Sequence, residues 1–241
     1  MLLQSTSTHD DVLKIIGSHA AQGISLRLTK SFQGMMLSQD VKVLAVDRYR
    51  AVFQIFDSKT CAALEGRVHL HSREFSRPVS ARLIDLCVSK GMFALTDFAY
   101  TNSDWKERQN ERVRPKDPTY ASLHCRRESI RASLQTISID GIGVLACKNI
   151  KPDTKIQPNS PVKLDFQITP NYGWESLKGM LVYMLKAKNS FSRCGIRLHP
   201  NVKQARILER YIYLRKREIM EELDQAFITA TSPMGAECQY F

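Results

Sequence analysis

Twelve short segments in which apolar and polar residues alternate constrain the fold of this chain more than any other feature. Six of them lie between residues 24 and 98, and six lie between residues 120 and 198. Such alternation places one face of a strand in a core and the other face in water. Turn residues such as Ser89-Lys90-Gly91 separate the segments at near-regular intervals, which is typical of antiparallel barrels and sandwiches. We therefore expect a mainly β protein with two small antiparallel β-barrels.

Helical spacing marks the two ends of the chain. Thr8 followed by Asp11 indicates a helix start, and an apolar series then continues to Gly23. From Lys203 onwards a second apolar stripe recurs at helical spacing and is interrupted at Arg215. The stripe consists of Ala205, Leu208, Ile212, Ile219 and Leu223. We expect a short N-terminal helix and a C-terminal α-helix that either docks on its own barrel or contacts a partner, since stripe spacing does not name the surface it buries.

The length of 241 residues exceeds that of a typical single domain, so two compact domains are expected. Residues 101–118 lose the alternation, become dense in charge and end at Pro115 and Pro118, as a linker does. We therefore predict an N-terminal barrel domain over residues 1–105 and a second domain over residues 106–241.

The formal net charge of +11 is distributed unevenly. Residues 1–105 hold 12 Lys and Arg against 10 Asp and Glu, whereas residues 106–241 hold 23 against 14. An excess of this size suits phosphate-bearing ligands, nucleic acid or an acidic protein surface. The sequence contains no recognisable helix-turn-helix or zinc finger, so DNA is the weaker of these expectations.

Cysteine usage and the apolar runs bear on the compartment. The six cysteines are scattered without a Cys-x-x-Cys pair, and most fall within or beside apolar strand segments, where free thiols behave as small hydrophobic groups. The start of the sequence has no basic segment followed by a long apolar core, and no apolar run is long enough to cross a bilayer. These features favour a reducing cytosol, without export or a membrane span.

Signatures of catalysis are lacking. No Gly-rich phosphate loop, Ser or Cys nucleophile with a His and an acid, or paired-carboxylate site is recognisable. His69 and His71 share one face of a predicted strand, but no third ligand stands at metal-site spacing. We therefore expect a binding protein rather than an enzyme, with no cofactor and no metal.

Arginines four residues apart are the most informative local pattern. Five such pairs occur, beginning at Arg73, Arg108, Arg127, Arg193 and Arg206. Only the pair of Arg108 and Arg112 is followed at once by Val113 and, one hairpin later, by the spacing Ser-x-x-Gly. The pair beginning at Arg127 is too close to that second element for a strand and its return, and is interpreted as solvated charge.

The two halves Arg108-Gln-Asn-Glu-Arg112 and Thr136-Ile-Ser138-Ile-Asp140-Gly141 together resemble the signature of the PilZ family. Members of that family bind cyclic di-GMP through an Arg-x-x-x-Arg turn followed by Asp/Asn-x-Ser-x-x-Gly. Arginine suits this ligand because its guanidinium forms paired hydrogen bonds with guanine O6 and N7, clamps phosphate oxygens and stacks on bases. The resemblance covers residues 106 to about 226 and implies a PilZ barrel there.

The resemblance implies specific ligand contacts. Arg108 and Arg112 would bind phosphate or guanine, Ser138 would offer a hydroxyl, and Gly141 would permit a sharp turn or close approach. Thr136 stands where Asp or Asn is usual and offers a weaker acceptor to the guanine donors. Secondary contacts are expected from Arg114, Asp140 and Trp105, the last through stacking on a base.

Residues 1–105 are similar in length and strand pattern to the N-terminal, PilZN-like barrel of two-domain flagellar-brake-like members. The resemblance implies a bacterial cytoplasmic effector that reorients its barrels on binding cyclic di-GMP, with output to motility, biofilm or exopolysaccharide. Its partner would be the flagellar motor, at the basal body, or an exopolysaccharide machine, and a homodimer is open. Two alternatives stay open: a PilZ adaptor that has lost the nucleotide, and a basic DNA-binding regulator.

Overall fold

The computed structural model describes residues 3–101, 110–125, 128–147, 157–168, 174–187 and 191–232. Within them the architecture is two closed six-stranded antiparallel barrels with a long C-terminal helix. The prediction of a mainly β chain with two barrels is therefore confirmed, and closure decides the choice between barrel and sandwich that alternation had left open.

The first barrel comprises six strands in the order β1-β2-β3-β6-β5-β4, with β4 paired to β1. Helix α1, Leu3–Gln22, precedes it, and a 3₁₀ turn at Ser58–Ala63 follows its third strand. The strands are β1 Leu26–Phe32, β2 Met35–Val46, β3 Ala51–Ile55, β4 Arg67–His71, β5 Val79–Cys87 and β6 Met92–Tyr100. Helix α1 begins several residues before the Thr8 start that capping chemistry had predicted.

Alternate strand residues fill the first barrel. Phe53 and Phe93 stack with ring centroids 5.4 Å apart, and both are completely buried. Val12 and Ile16 of α1 join the same core cluster, because they recur on one face of the helix. The end of α1 is fixed by His19, whose ring lies 2.7 Å from the Ser72 hydroxyl.

The second barrel repeats the strand order of the first, as β7-β8-β9-β12-β11-β10 with β10 paired to β7. Its strands are β7 Tyr120–Cys125, β8 Glu128–Ile137, β9 Gly141–Ala146, β10 Pro161–Gln167, β11 Trp174–Lys186 and β12 Ser192–Leu198. All twelve strand segments predicted from alternation are strands. The core of this barrel includes Leu123, Ile137, Ile142 and Phe166, all nearly inaccessible to solvent.

Helix α2 spans Val202–Thr231. Four residues of its predicted apolar stripe are buried, namely Leu208, Ile212, Ile219 and Leu223. Arg215, the interruption of that stripe, is buried as well, with 3% of its surface exposed. The helix prediction is thus confirmed, and Arg215 belongs to the buried face rather than breaking it.

Packing divides the chain into two compact units. The first contains residues 3–32, 36–101 and 219–232 of those described, and the second contains residues 33–35 and 110–218 with the gaps stated above. The boundary predicted at 105/106 lies outside the described residues. Cys61, Cys125, Cys147 and Cys194 are free thiols. Cys87, in contrast, is disulfide-bonded, so the expectation of free thiols is wrong at that position.

Candidate functional site

The segment that carries the second motif arginine is attached to strand β8. Val113 donates its N–H to the Ile137 carbonyl at 2.9 Å, and Ile137 donates to the Val113 carbonyl at 2.8 Å. Val113 is completely buried. Because neighbouring residues of an extended segment point to opposite sides, Arg112 and Arg114 project away from the core that Val113 enters. Burial of Val113 in the core thereby fixes the backbone position of Arg112.

Two further hydrogen bonds hold the backbone of Arg114. Its N–H donates to the carbonyl of Gln33 at 2.6 Å, and its carbonyl accepts from Nε of Arg215 at 2.9 Å. The buried Arg215 also donates from Nη1 to Oε2 of Glu218 at 3.0 Å. One residue on, Lys216 forms an ion pair with Glu111. Arg215 therefore interrupts the apolar stripe because it donates to a backbone carbonyl beside the motif.

Gly34 lies against the same backbone and is grouped with the second unit. Its φ is +83°, and a Cβ there would lie 2.8 Å from the Arg114 nitrogen and 2.9 Å from the Val113 carbonyl carbon. Both the backbone conformation and the space require glycine. Close backbone contact of this kind makes the segment around Arg112 rigid.

The second motif half forms a tight turn between β8 and β9. Ser138 is completely buried, and its N–H donates to the Gly141 carbonyl at 2.8 Å. Its hydroxyl lies 2.8 Å from both Oδ1 of Asp140 and the Gly141 carbonyl, so a single proton serves two acceptors. The Asp140 carbonyl accepts from the N–H of Leu198 at 2.9 Å. Ser138 is thus a structural element of the turn.

The two motif halves meet at Gly141. A Cβ on this glycine would lie 3.4 Å from Nη2 of Arg112, 3.5 Å from the Ser138 hydroxyl and 3.2 Å from the Ile196 carbonyl. The Arg112 guanidinium therefore rests beside the bare Cα of Gly141. Absence of a side chain at position 141 is what allows this approach.

Asp140 supplies the negative charge of the site. Burial acts to raise the pKa of its carboxyl, but hydrogen bonds from Asn110 and Ser138 and the charge of Arg112 outweigh it, so that the pKa is below its ordinary value. At neutral pH the carboxylate is ionised and faces the positive charge of Arg112. An anionic ligand would compete with Asp140 for this arginine.

A row of small residues lies beside this turn. Thr136 pairs with Gly143 across a β-bulge in the β8–β9 ladder, and its Oγ1 lies 2.7 Å from where a Gly143 Cβ would be. Gly143 in turn pairs with Gly195, and a Cβ on Gly195 would lie 2.3 Å from the Tyr183 ring. Both glycines are buried, and the Thr136 hydroxyl and the Tyr183 ring occupy the space that side chains at these two positions would take. The pair therefore allows neighbouring groups to pack closely beside the turn.

The structure brings Arg112, Ser138, Asp140 and Gly141 together, and their role in ligand binding stays a prediction. Thr136 lies on the neighbouring row, and the side chain of Arg114 is exposed. Arg108 and Trp105 lie outside the described residues. Sequence reasoning missed Asn110, Gly143, Gly195 and Tyr183; it noticed Arg215 only as a charge within an apolar stripe.

The geometry defines a β-barrel in which an arginine guanidinium lies beside a tight turn between two strands. Residues 106–214 match the PilZ domain family. The chain therefore contains a PilZ domain, and the resemblance drawn from the two motif halves is confirmed. PilZ domains are ligand-binding modules, in agreement with the expectation that the protein is not an enzyme.

Solved structures similar to this chain include MrkH from K. pneumonia in complex with c-di-GMP, at 12% identity and a TM-score of 0.48, covering 90% of this chain and 97% of MrkH. YcgR from Escherichia coli in complex with c-di-GMP matches at 16% identity and a TM-score of 0.44, covering 89% and 93%. The inhibitor of motility MotI/DgrA from Bacillus subtilis matches at 13% and 0.41, covering 81% and 97%. With TM-scores below 0.5 these likenesses are weak, and the family assignment rests on the PilZ match.

The comparison with curated proteins gave no significant match. Neither described helix, α1 nor α2, combines the length and apolar character that a membrane crossing requires.

Proposed function

We propose that this protein is a cyclic di-GMP receptor whose binding site is built around Arg112. The observation that carries the proposal is the convergence of the motif halves, with Nη2 of Arg112 3.4 Å from the Cβ position of Gly141. The PilZ match over residues 106–214 supports the ligand class. Arg108 is proposed as the second binding arginine on its motif position alone.

The chemistry of the proposed site follows from three groups. The Arg112 guanidinium forms paired hydrogen bonds with a phosphate or with guanine O6 and N7, which a lysine cannot reproduce. Gly141 lets the Arg112 guanidinium lie close to the turn, because a side chain there would meet Nη2 of Arg112 at 3.4 Å. The Asp140 carboxylate interacts electrostatically with Arg112, and the two singly charged phosphates of cyclic di-GMP would compete with it for the guanidinium.

The proposed output is a change in the orientation of the two domains that alters motility, biofilm or exopolysaccharide production through a protein partner. Support comes from the position of the arginine motif, which lies in the sequence between the last strand of one barrel and the first strand of the other. A ligand that binds there changes the free energies of interdomain arrangements unequally, and so shifts their populations.

The first test is calorimetric titration of the full chain with cyclic di-GMP. Arg112→Ala removes a charge-assisted interaction worth about 1.5–3 kcal/mol and is expected to weaken binding about tenfold or more. Arg131→Ala is the matched control, because Arg131 is an exposed arginine of the same barrel whose guanidinium stacks 4.7 Å from the Tyr120 ring centroid. Equal affinity of Arg112→Ala and the unmodified chain contradicts the proposed site.

The adaptor alternative has one specific observation in its favour. Thr136 replaces the usual Asp or Asn, and its hydroxyl is directed over Gly143. Absence of cyclic di-GMP binding by the unmodified chain, at millimolar ligand and low salt, would reject the receptor proposal in favour of the adaptor or the DNA-binding regulator. If binding occurs, small-angle scattering with and without saturating ligand tests the output, and identical profiles contradict the change in orientation.

A further inference from the structure

A cleft of about 770 Å³ opens in the first unit, far along the sequence from the PilZ motif. It lies within the size range of small-molecule sites, about 300–1,000 Å³. Its walls come from the start of α1, the turn between β2 and β3, strand β4, the approach to β5 and the last half of β6. The lining includes Arg48, Tyr49, Arg67, Arg77, Asp97 and Tyr100.

The guanidinium of Arg48 stacks on an aromatic ring. Its guanidinium carbon lies 4.4 Å from the ring centroid of Tyr49, and Arg77 lies 5.8 Å from that of Tyr100. Stacking uses the face of a guanidinium, whereas a phosphate is bound in the plane, through the N–H edge. Stacking therefore orders the Arg48 guanidinium without using the N–H edge that would bind a phosphate.

Arg67 is held in the cleft by the backbone around it. Its Nε donates to the Ser80 hydroxyl at 2.9 Å, and its Nη2 donates to the carbonyls of Asp97 at 3.0 Å and Ser80 at 3.3 Å. These bonds fix the plane of the guanidinium and do not involve Nη1. Such preorganisation lowers the cost of ordering a side chain when a ligand binds.

A strained β-bulge forms part of the same wall. Ser80 pairs with Ala99 and Arg82 pairs with Thr96, so that Asp97 and Phe98 together oppose Ala81. Asp97 has a φ of +52°, which is uncommon for a residue other than glycine. Its carboxylate accepts from Nε of Arg82 at 2.6 Å. Bulges and positive φ angles concentrate at functional sites, where they redirect side chains and backbone carbonyls.

The charge of the cleft favours an anion. Three arginines face the carboxylates of Asp10 and Asp97, and the latter is already paired with Arg82, which is not part of the lining. Tyr49 is 61% exposed, although one face of its ring is occupied by Arg48. Its other face is open to a flat partner.

The place of the cleft in the topology adds a separate argument. The first barrel has the same strand order as the second, so the β2–β3 turn corresponds to the β8–β9 turn that bears Ser138 and Asp140. Arg48 and Tyr49 belong to that β2–β3 turn. The corresponding position in each barrel thus carries groups suited to an anionic ligand.

We propose that this cleft is a second ligand site, which binds a nucleoside phosphate. Arg48, Arg67 and Arg77 hold the phosphate, and the base stacks on Tyr49. Arginine forks match phosphate oxygens, and a nucleobase stacks readily on a tyrosine face. The site does not depend on the cyclic di-GMP site of the second unit.

The test is calorimetric titration of the full chain with guanosine 5′-monophosphate, adenosine 5′-monophosphate and pyrophosphate. We expect binding of both nucleotides, a loss of about tenfold or more in Arg48→Ala and in Arg77→Ala, and none in Arg27→Ala. Arg27 is a suitable control because it is an exposed arginine of the same barrel, paired with Asp40. Tyr49→Ala should weaken nucleotide binding about fivefold or more and leave pyrophosphate unaffected.

Three results would overturn the proposal. The first is that neither nucleotide binds at millimolar concentration. The second is that the Arg48→Ala, Arg77→Ala double variant binds the nucleotides with unchanged affinity. The third is that pyrophosphate or an oligoglutamate peptide binds as tightly as the nucleotides. Arg112→Ala separates the two sites: loss of mononucleotide binding in that variant places the ligand in the second unit and also refutes the proposal. Circular dichroism melting shows whether each variant is folded.

Discussion

The two barrels share one strand order but present their arginines differently. Both have β-bulges at corresponding hairpins, β2–β3 and β5–β6 in the first barrel and β8–β9 and β11–β12 in the second. In the second barrel Arg112 comes from a segment ahead of the first strand and reaches the β8–β9 turn. In the first, Arg48 stands in the corresponding turn itself and Arg67 comes from β4.

This difference determines what a sequence pattern reveals. A site assembled from two short contiguous stretches leaves a motif with fixed spacing, and Arg112 with Ser138 and Gly141 is such a site. A site assembled from a turn, two strands and a helix start leaves no spacing to recognise. Two proposed ligand sites on the same topology are therefore not equally visible in sequence.

The largest expected effect compares a buried arginine of the second unit with an exposed one of the first. Arg215→Ala leaves the Arg114 carbonyl without its partner and removes a buried side-chain stem. We expect its free energy of unfolding to fall by about 2–4 kcal/mol. Arg82→Ala removes an ion pair whose side chains are 52% and 53% exposed, so a loss of about 0–1 kcal/mol is expected.

Urea unfolding of both variants, with each transition fitted separately, measures this difference. Equal losses for Arg215→Ala and Arg82→Ala would show that the two arginines hold their barrels in the same way, and would break the comparison.

Two glycine substitutions, one in each unit, sharpen the comparison further. A Cβ on Gly179 of β11 would lie 2.3 Å from the Arg197 carbonyl oxygen, which is backbone and does not move easily. Gly179→Ala should therefore destabilise the protein by about 1–3 kcal/mol. Gly17→Ala in α1 meets nothing within 4 Å and should stabilise it by about 0.5–1 kcal/mol. Melting temperatures that change in the same direction in both variants contradict this prediction.

Substitutions at position 136 test whether the bulge of the second barrel contacts the ligand while the corresponding bulge of the first barrel does not. Thr136→Asn restores an acceptor for the guanine donors and should tighten cyclic di-GMP binding by about 1 kcal/mol. Thr136→Val should weaken it if the hydroxyl contacts the base. Ala45 of the first barrel follows the corresponding bulge and is exposed, so Ala45→Asn is the control and should change nothing. Weaker binding by Thr136→Asn would place the ligand away from this residue.

The smallest expected effect concerns the aspartates of the two corresponding turns. The pKa of Asp140 is lowered although burial acts to raise it, because hydrogen bonds from Asn110 and Ser138 and the charge of Arg112 prevail. The pKa of Asp47 is lowered first by a hydrogen bond from the Tyr49 backbone. A carboxyl whose pKa is lower in the folded state stabilises the protein above its ordinary pKa, 3.8, and loses that contribution as the pH falls through its folded pKa.

Stability curves of Asp140→Asn and Asp47→Asn against pH measure these contributions. Each variant should be less stable than the unmodified chain at pH 6, and the difference should shrink as the pH falls below about 3.8, the ordinary pKa. A difference that grows in acid would have the wrong sign and would reject the assignment.

Most of the fold was predictable because it depends on local pattern. Alternation identified every strand, and helical spacing identified α1 and α2, since burial of one face requires these periods. Closure of six strands into a barrel depends on pairing between distant segments such as β1 with β4, and alternation leaves barrel and sandwich equally acceptable.

The candidate site was predictable in part, for a related reason. Arg112, Ser138 and Gly141 were recognised by spacing, whereas Asn110 and Gly195 are ordinary residues until pairing brings them to the site. Arg215 contradicts the local pattern of its helix, and only the position of the Arg114 carbonyl explains it. Local rules fail at residues whose role is set by a distant backbone group.

The reciprocal hydrogen bonds between Val113 and Ile137 have a consequence for time scale. Amide hydrogens in such a buried pair exchange with solvent only when the pairing opens, so the motif backbone is ordered whenever these two hydrogen bonds are formed. Loops fluctuate within nanoseconds to microseconds, whereas native barrels open far more slowly. An arriving ligand therefore encounters Arg112 on a backbone that was ordered during folding, and the entropic cost of that ordering does not fall on association.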